Sequence, residues 1–346
     1  MPSYKNQERN TWYCAFYFTD WQGKRKKKKK EGFKTKREAQ EWERKFLEQY
    51  AGTPDISFET LVKQYQKQAE LRLKPMTYYS KSGIIKNHIF PYFADMPINK
   101  ISRRVINEWK NQLLTQDLKP SYMRVINAQL SAIFNFAVDN YNLEDNPCSG
   151  LGKLHKANSN INYWTLDEFR KFAMTFTKPH HIMIFYLLFW TGMRIGEVLA
   201  LTWSDIDFTN NTITINKTFS RLHQKDIITT PKTAKSERIV IMPQFIADML
   251  KDFKRITTYC TERIFDISHY TIRDRLKDHA IIAGVKPIRI HDLRHSHASL
   301  LINANFSPID VADRLGHANA SITLKVYSHF YSQKRAELAE KINDIT

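Results

Sequence analysis

The sequence has few cysteines and no hydrophobic run long enough for a membrane span. Three cysteines, Cys14, Cys148 and Cys260, are spread over 346 residues, and no two form a C-x-x-C pair. This spacing argues against a disulfide framework or a zinc ribbon and is typical of a reducing cytosol. The apolar stretch HIMIFYLLFW is shorter than the roughly 18 residues of a membrane span, and the polar residues after Met1 do not form a signal peptide. We therefore expect a cytoplasmic protein that has no membrane partner.

Acidic residues are scarce relative to basic ones. The chain has 35 Asp and Glu against 53 Lys and Arg, which gives a formal net charge of +18. This charge indicates a polyanionic partner, most simply nucleic acid, although a solvated basic surface without a specific partner would have the same composition. The run KRKKKKK supplies the candidate DNA-binding residues Lys24, Arg25, Lys26, Lys27, Lys28, Lys29 and Lys30.

Breaks in composition divide the chain into three expected domains, residues 1–52, 56–146 and 160–346. The segments AGTPDIS and DNPCSGLGKLHKANSN, which are rich in small and turn-forming residues, mark the two boundaries. We predict a multidomain α+β protein. It would have a small N-terminal β-sheet with one helix, an all-helical middle domain, and a mostly helical third domain with a small antiparallel β-sheet.

The three domains differ in their hydrophobic periodicity. Residues 11–18 alternate between two faces, which predicts a strand, and Thr35 and Glu38 form a capping-box pattern at the start of a helix. Residues 57–145 carry apolar side chains at helical spacing, interrupted by four prolines, which predicts four or five helices. In the third domain, a period of two appears only around the segments IDFTNNTITINKTF and IITTPKTAKSERIVIM.

The stretch HDLRHSHAS could hold either a metal ion or an anion. His291 and His295 are four residues apart and could face one ion, but the carboxylate between them is the short Asp292, and Arg294 would place a cation beside the metal. An anion fits better, because His291 and Arg294 share a face at a helix start, where free N–H groups and the helix dipole favour negative charge. The sequence predicts no metal site here.

Other segments carry side chains of related chemistry. Arg194 follows Thr-Gly in the apolar stretch LLFWTGMRIGEVLALTW, so it needs an anionic partner, for which Glu197 is one candidate. His317 follows a Leu-Gly turn, and Tyr327 lies in VYSH. Together with a lysine in a hairpin, these residues suit a phosphodiester that is attacked by a side chain.

With these residues in view, the third domain resembles the catalytic domain of the tyrosine recombinases, in particular the phage and conjugative-transposon integrases. TGMRIGE, PKT, HDLRHSHAS, LGH and VYSH occur in the family's order between residues 160 and 330. Residues 1–155 fit the family's arm-binding and core-binding domains in layout more than in motif. The resemblance implies a site-specific DNA recombinase that integrates and excises a mobile element or prophage through a 3′-phosphotyrosine intermediate, without metal, ATP or another cofactor.

The resemblance also implies catalytic roles for Arg194, Lys232, His291, Arg294, His317 and Tyr327. Tyr327 would attack the scissile phosphate, His291 would accept its proton, and Lys232 would protonate the departing 5′ oxygen. The other three residues would bind the phosphate oxygens. Lys235 is the alternative to Lys232, and Tyr331 is the weaker alternative to Tyr327.

The neighbours of these residues have structural interpretations. Glu197 is expected to brace Arg194, and we assign Asp292, His295 and His297 to helix capping and packing. The C-terminal tail would pack either on its own domain or on a neighbouring protomer.

The partners implied by the resemblance are double-stranded DNA at core-type and arm-type sites, three further protomers in a homotetramer on DNA, and in some systems an excisionase and a host DNA-bending protein. Two other classes of function stay open at this point. One is a type IB topoisomerase-like enzyme with the same tyrosine chemistry, and the other is a catalytically silent DNA-binding relative.

Overall fold

The computed structural model describes residues 3–6, 11–19, 25–52, 56–150, 161–231, 234–257, 262–317, 319–321, 323–324 and 327. The chain divides into two compact units, Met1–Asn158 and Ser159–Thr346. The elements of these units confirm the predicted α+β fold class, while the three domain boundaries stay predictions. None of the helices in the described part of the chain has the length and apolar character to cross a membrane.

The first unit begins with a three-stranded antiparallel sheet in the order β1-β2-β3. The strands are β1 (Ser3–Asn6), β2 (Thr11–Thr19) and β3 (Arg25–Phe33), and helix α1 (Lys36–Gly52) follows. As predicted, the Glu38 N–H donates to Thr35 Oγ1 at 3.2 Å at the start of α1. Cys14 and Phe16 of β2 are buried against Ala39, Trp42 and Phe46 of α1, so one of the two faces of the predicted strand is covered by the helix.

The rest of the first unit is a helical bundle, as the sequence predicted. Its helices are α2 (Phe58–Arg72), α3 (Pro75–Ile84), α4 (Phe90–Phe93), α5 (Arg103–Leu114) and α6 (Pro120–Tyr141). The prolines at 75 and 120 begin helices, where the missing N–H costs nothing. A π-helical turn, Ile85–Ile89, separates α3 from α4, next to Pro91, which cannot donate to the preceding turn.

The second unit is mostly helical. Its helices are α7 (Leu166–Ala173), α8 (Pro179–Thr191), α9 (Ile195–Ala200), α10 (Gln244–Ile256), α11 (His269–Ile282), α12 (Asp292–Asn303) and α13 (Pro308–Leu315). A capping box between Thr165 and Glu168 begins α7, and α8 contributes most of its side chains to the core.

The predicted β region of this unit consists of two small antiparallel sheets. The first contains β4 (Ile206–Asp207), β5 (Thr212–Ile215) and β8 (Arg238–Ile241), in that order. The second is a hairpin of β6 (Thr218–Leu222) and β7 (Lys225–Thr229). Because β6 packs directly on α9, the hairpin lies against the helix that begins after Arg194.

Candidate active site

The guanidinium of Arg294 lies at the meeting point of two helix ends. Arg294 is on the first turn of α12 and is 3 % exposed. Its Nη1 donates to the carbonyl of Gly192, just after α8, at 2.8 Å, and its Nη2 donates to the carbonyl of Leu315, the last residue of α13. Helix C-termini carry partial negative charge, so these carbonyls offset the cost of burying the cation without a carboxylate.

Two glycines of the sequence motifs make this arrangement possible. Gly192 ends α8 with φ +67°, and a Cβ there would come within 2.6 Å of the His297 ring and 2.7 Å of a Leu315 methyl. Gly316 ends α13 with the same φ, and a Cβ would meet Arg238 Cδ at 3.0 Å. Both positions need a left-handed backbone without a side chain. Gly192 of TGMRIGE and Gly316 of LGH therefore allow the helix ends at which the carbonyls of Gly192 and Leu315 accept hydrogen bonds from Arg294.

Arg194 is held by a buried carboxylate that also binds a second arginine. The Arg194 N–H and Nη1 donate to Glu197 at 2.9 and 2.7 Å, as the predicted brace requires. Arg238 on β8 donates from Nη2 to the same carboxylate at 3.0 Å. Glu197 is 3 % exposed; burial alone would raise its pKa, but the hydrogen bonds and charge of Arg238, with those of Arg194, hold the pKa below its ordinary value. The carboxylate thus stays ionised between two cations.

Arg294 binds one backbone carbonyl two residues before Arg194 and another two residues before His317, so these groups lie close together. Burial, and then the charges of Arg194 and Arg238, lower the pKa of Arg294 to about 9, so it keeps its proton at neutral pH. Burial and the charges of Arg294 and Arg194 lower the pKa of His317 to about 4. The pKa of His291 is lowered by the same causes in the same order, although its side chain reaches solvent. These four predicted residues therefore surround one electropositive place.

Tyr327 of the same chain reaches this place through a histidine. Its hydroxyl lies 2.6 Å from Nδ1 of His295, and the two rings are 5.7 Å apart between centroids. The His295 ring in turn meets the His291 ring edge to face at 5.3 Å. Tyr327 is 1 % exposed, and burial raises its pKa above the ordinary value. The phenol is therefore protonated and covered in this structure.

The remaining polar residues of α12 and α13 fix the frame of the site. Buried Asp292 accepts three hydrogen bonds from the Arg289 side chain and one from its backbone N–H. His297 accepts from Nε of Arg314 at 2.9 Å. His317 Nδ1 pairs with Thr323 Oγ1 at 2.8 Å. The capping and packing expected for Asp292 and His297 match these contacts.

The structure differs from the sequence expectations at specific residues. The sequence predicts helix capping and packing for His295, whereas this residue contacts the phenol. It predicts no role for Arg238, whereas this residue shares Glu197 with Arg194. A cue for His295 was present, since the motif holds two histidines on one side of a helix start. No local cue marked Arg238, because its partner is 41 positions away.

Three predicted residues lie outside the described part of the chain. They are Lys232, the expected general acid, Tyr331, the alternative to Tyr327 as nucleophile, and Lys24 of the basic run. Lys235, the alternative general acid, lies in a short 3-10 turn, Ala234–Ser236, with its side chain exposed. Within the described residues, no group of three or more His, Cys, Asp or Glu side chains is arranged to hold a metal ion.

The basic run forms a second candidate surface in the first unit. Arg25 and Lys29 lie over the rings of Tyr17 and Tyr13 at 4.5 and 4.9 Å. Lys28 and Lys30, on the other face of β3, lie over Phe46 and Trp42 of α1 at 5.6 and 4.8 Å. All the side chains from Arg25 to Lys30 are exposed, but alternation along the strand divides them between an open tyrosine-bearing face and the helix-covered face.

Comparison with known proteins finds a family match in three successive segments of the chain. The chain matches the phage integrase family over residues 164–334, an arm DNA-binding domain over 2–50, and a phage integrase N-terminal SAM-like domain over 57–114. It is 33 % identical over 337 residues to the ICEBs1 integrase of Bacillus subtilis (strain 168), with 90 % of each chain covered.

Solved structures share the fold. A Tn1549 transposon integrase in complex with a circular intermediate DNA superposes with a TM-score of 0.70 at 19 % identity, covering 81 % of this chain and 98 % of that one. A lambda integrase dimer bound to a COC′ core site gives a TM-score of 0.61 at 18 % identity, covering 94 % and 93 %. From the motifs, the convergent cations and the similarity along the chain, the protein belongs to the phage integrase family and is a tyrosine recombinase of the mobile-element integrase type.

Proposed function

We propose that the second unit cuts and rejoins DNA with Arg194, Lys232, His291, Arg294, His317 and Tyr327 as its catalytic residues. The observation that carries this proposal is that Arg294 binds the Gly192 carbonyl, two residues before Arg194, and is followed by His295, which contacts Tyr327. Two fixed guanidiniums suit a phosphodiester, because its non-bridging oxygens gain negative charge in the five-coordinate transition state.

A fixed orientation makes these guanidiniums effective catalysts. Arg294 is oriented by two backbone carbonyls and Arg194 by Glu197, so neither must reorganise when charge develops on the phosphate. The side chain of Arg194 is 38 % exposed and would meet the phosphate from the solvent side. With two cations available, the proposed reaction needs no divalent ion as a Lewis acid.

In the proposed cleavage, the Tyr327 oxygen forms a bond to phosphorus as the bond from phosphorus to the 5′ oxygen breaks. The phenolic proton leaves to a histidine of the site, for which the sequence names His291, and Lys232 gives a proton to the departing oxygen. The product is a 3′-phosphotyrosyl ester and a 5′-hydroxyl. Attack by a 5′-hydroxyl from a second duplex reverses each step and joins the strands, so no ATP is needed.

The first unit supplies the proposed DNA-binding surfaces. The tyrosine-bearing face of the β1-β2-β3 sheet would bind arm-type sites, and the helices from α2 to α6 would bind core-type sites. Support comes from the cations of β3 and from relatives solved with DNA, one of them as a dimer. We further propose a homotetramer on DNA in the cytoplasm of a bacterial host, with an excisionase and a host DNA-bending protein as additional partners.

The decisive experiment uses a nicked duplex taken from the end of the element that carries the gene. In EDTA, the full chain should form a covalent protein–DNA adduct, and Tyr327→Phe should abolish it. Tyr270→Phe is the matched control, because Tyr270 is a 68 % exposed tyrosine of the same unit. An adduct of normal yield from Tyr327→Phe, or a strict need for a divalent ion, would overturn the proposal.

A second assay separates this function from a topoisomerase. Two duplexes with attachment sites should yield recombinant products, whereas a type IB topoisomerase-like enzyme would relax supercoils without joining one duplex to another. A catalytically silent relative would bind the duplexes and form no adduct. The match of residues 2–50 to an arm DNA-binding domain favours recombination.

A further inference from the structure

The hydroxyl of Tyr327 has a partner that the sequence did not assign to chemistry. His295 Nδ1 lies 2.6 Å from the phenolic oxygen, well within hydrogen-bond distance. His295 follows Arg294 on the first turn of α12, so the helix that supplies a phosphate-binding guanidinium also supplies this ring. The bond is intramolecular, between residues 32 positions apart.

We propose that His295 is a further catalytic residue, the immediate acceptor of the Tyr327 proton when the phenol attacks DNA. The inference rests on the proposed function, since it assumes that Tyr327 is the nucleophile. In this proposal His291 is not the immediate proton acceptor. Its exposed ring lies 5.3 Å from the His295 ring between centroids, on the solvent side of His295.

The charge state of His295 fits an acceptor. Burial and the neighbouring His291 lower its pKa to about 4, so the ring is neutral at neutral pH, and in the tautomer protonated at Nε2 its Nδ1 accepts from the phenol. A ring with so low a pKa is a weak base while the site is empty. A bound phosphate brings negative charge to the site and raises the pKa of a nearby histidine, so the base becomes stronger when the substrate arrives.

The step is balanced. The O–H bond of Tyr327 breaks, an N–H bond forms at Nδ1 of His295, and the phenolic oxygen bonds to phosphorus. The 5′ oxygen leaves and takes a proton from Lys232. In the joining step a 5′-hydroxyl gives its proton to Lys232 as its oxygen bonds to phosphorus, and the imidazolium returns its proton to the phenolic oxygen as the tyrosyl ester breaks.

The competing explanation is that His295 only holds the phenol in a resting position. His295→Asn distinguishes the two, because its amide oxygen can accept a hydrogen bond near the position of Nδ1 but cannot take up a proton. If His295 is only a latch, the variant forms the adduct as fast as the wild type or faster. If His295 is the base, adduct formation slows by about 10²–10⁴-fold, the usual contribution of general acid–base catalysis.

The experiment measures single-turnover adduct formation at saturating full-length protein on two nicked duplexes. One has the ordinary scissile phosphate, and the other has sulfur in place of the bridging 5′ oxygen. A thiolate leaves without protonation, so sulfur should restore Lys232→Ala. It should not restore His295→Asn, because the acceptor acts on the nucleophile. His88→Gln is the matched control, since His88 Nε2 lies 3.2 Å from the hydroxyl of Tyr122 in the helical bundle.

The dependence of the rate of adduct formation on pH can be measured even if the variant folds poorly. On the sulfur duplex the wild-type rate should fall as pH falls, because a protonated His295 cannot accept, and His295→Asn should lack this limb. An acid limb that His295→Asn keeps unchanged, a variant rate within 3-fold of wild type, or restoration of His295→Asn by sulfur would each overturn the inference. An adduct that persists in Tyr327→Phe would instead overturn the proposed function itself.

Discussion

The cations of the N-terminal sheet and those of the catalytic unit are held in opposite ways. Arg25 and Lys29 are exposed and rest on tyrosine rings. Arg294 is 3 % exposed and binds two backbone carbonyls. The side chain of Arg238 is 7 % exposed and binds the carboxylate of Glu197. Exposed charges add affinity that salt screens, whereas buried oriented charges stabilise a transition state and depend on the fold to keep them in place.

The largest contrast should appear when an arginine of each kind is changed to lysine. Arg294→Lys keeps the charge but cannot reach two carbonyls and a phosphate with one ammonium, so we expect adduct formation to fall by about 10²–10³-fold. Arg255→Lys is the control at a 79 % exposed guanidinium of the same unit and should change the rate by less than about 2-fold. Equal losses in both variants would refute a special role for the buried cation.

The next contrast concerns the carboxylates that hold arginines. Glu197→Gln removes the charge between Arg194 and Arg238, and we expect the free energy of unfolding to fall by about 3 kcal/mol, since breaking a buried pair leaves an uncompensated charge. Glu108→Gln removes an exposed pair with Arg104 and should cost less than about 0.5 kcal/mol. Urea denaturation of the full chain measures both, and equal midpoints would contradict the distinction.

The stability of the catalytic unit should fall in mildly acidic solution. Burial, and then the charge of Arg314, lower the pKa of His297 from 6.5 to about 3; Arg294 and Arg238 act in the same direction. Below pH 6.5 His297 therefore binds a proton in the unfolded chain but stays neutral in the folded chain. The part of the free energy of unfolding that this histidine contributes above pH 6.5 is lost as pH falls. At pH 5 the loss from His297 alone is about 2 kcal/mol.

Thermal unfolding at pH 7.5, 6.5 and 5.5 tests this dependence. His297→Gln should give a shallower slope on the acid side, because the variant has lost one group that titrates only when unfolded. A melting temperature that stays constant or rises from pH 7.5 to 5.5 would show that the buried histidines do not govern stability in this range.

The sequence was sufficient where the chemistry is local. The capping pattern of Thr35 and Glu38 and the alternation of β2 both act within a few positions of the chain. Periodicity and turn chemistry report such features directly, and so the fold class was predictable.

The sequence was insufficient where partners are distant. Arg238 reaches Glu197 across 41 positions and Tyr327 reaches His295 across 32. No periodicity within α12 distinguishes His291 from His295 as the ring that meets the phenol, because both lie at the start of the helix. Only the packing of α8, α12 and α13 around Arg294 decides which ring faces inward.

The smallest contrast lies within the basic strand itself. Lys27 and Lys29 are on the tyrosine-bearing face, so the double change to alanine should weaken arm-type DNA binding by about 1 kcal/mol in moderate salt. Each lost phosphate contact should also reduce the slope of log K against log salt by about 0.9. Lys28 and Lys30 lie over Phe46 and Trp42, so their double change should mainly lower the melting temperature of the sheet and helix. Fluorescence anisotropy at several salt concentrations measures both pairs; equal salt slopes would mean that the whole run, and not one face, contacts DNA.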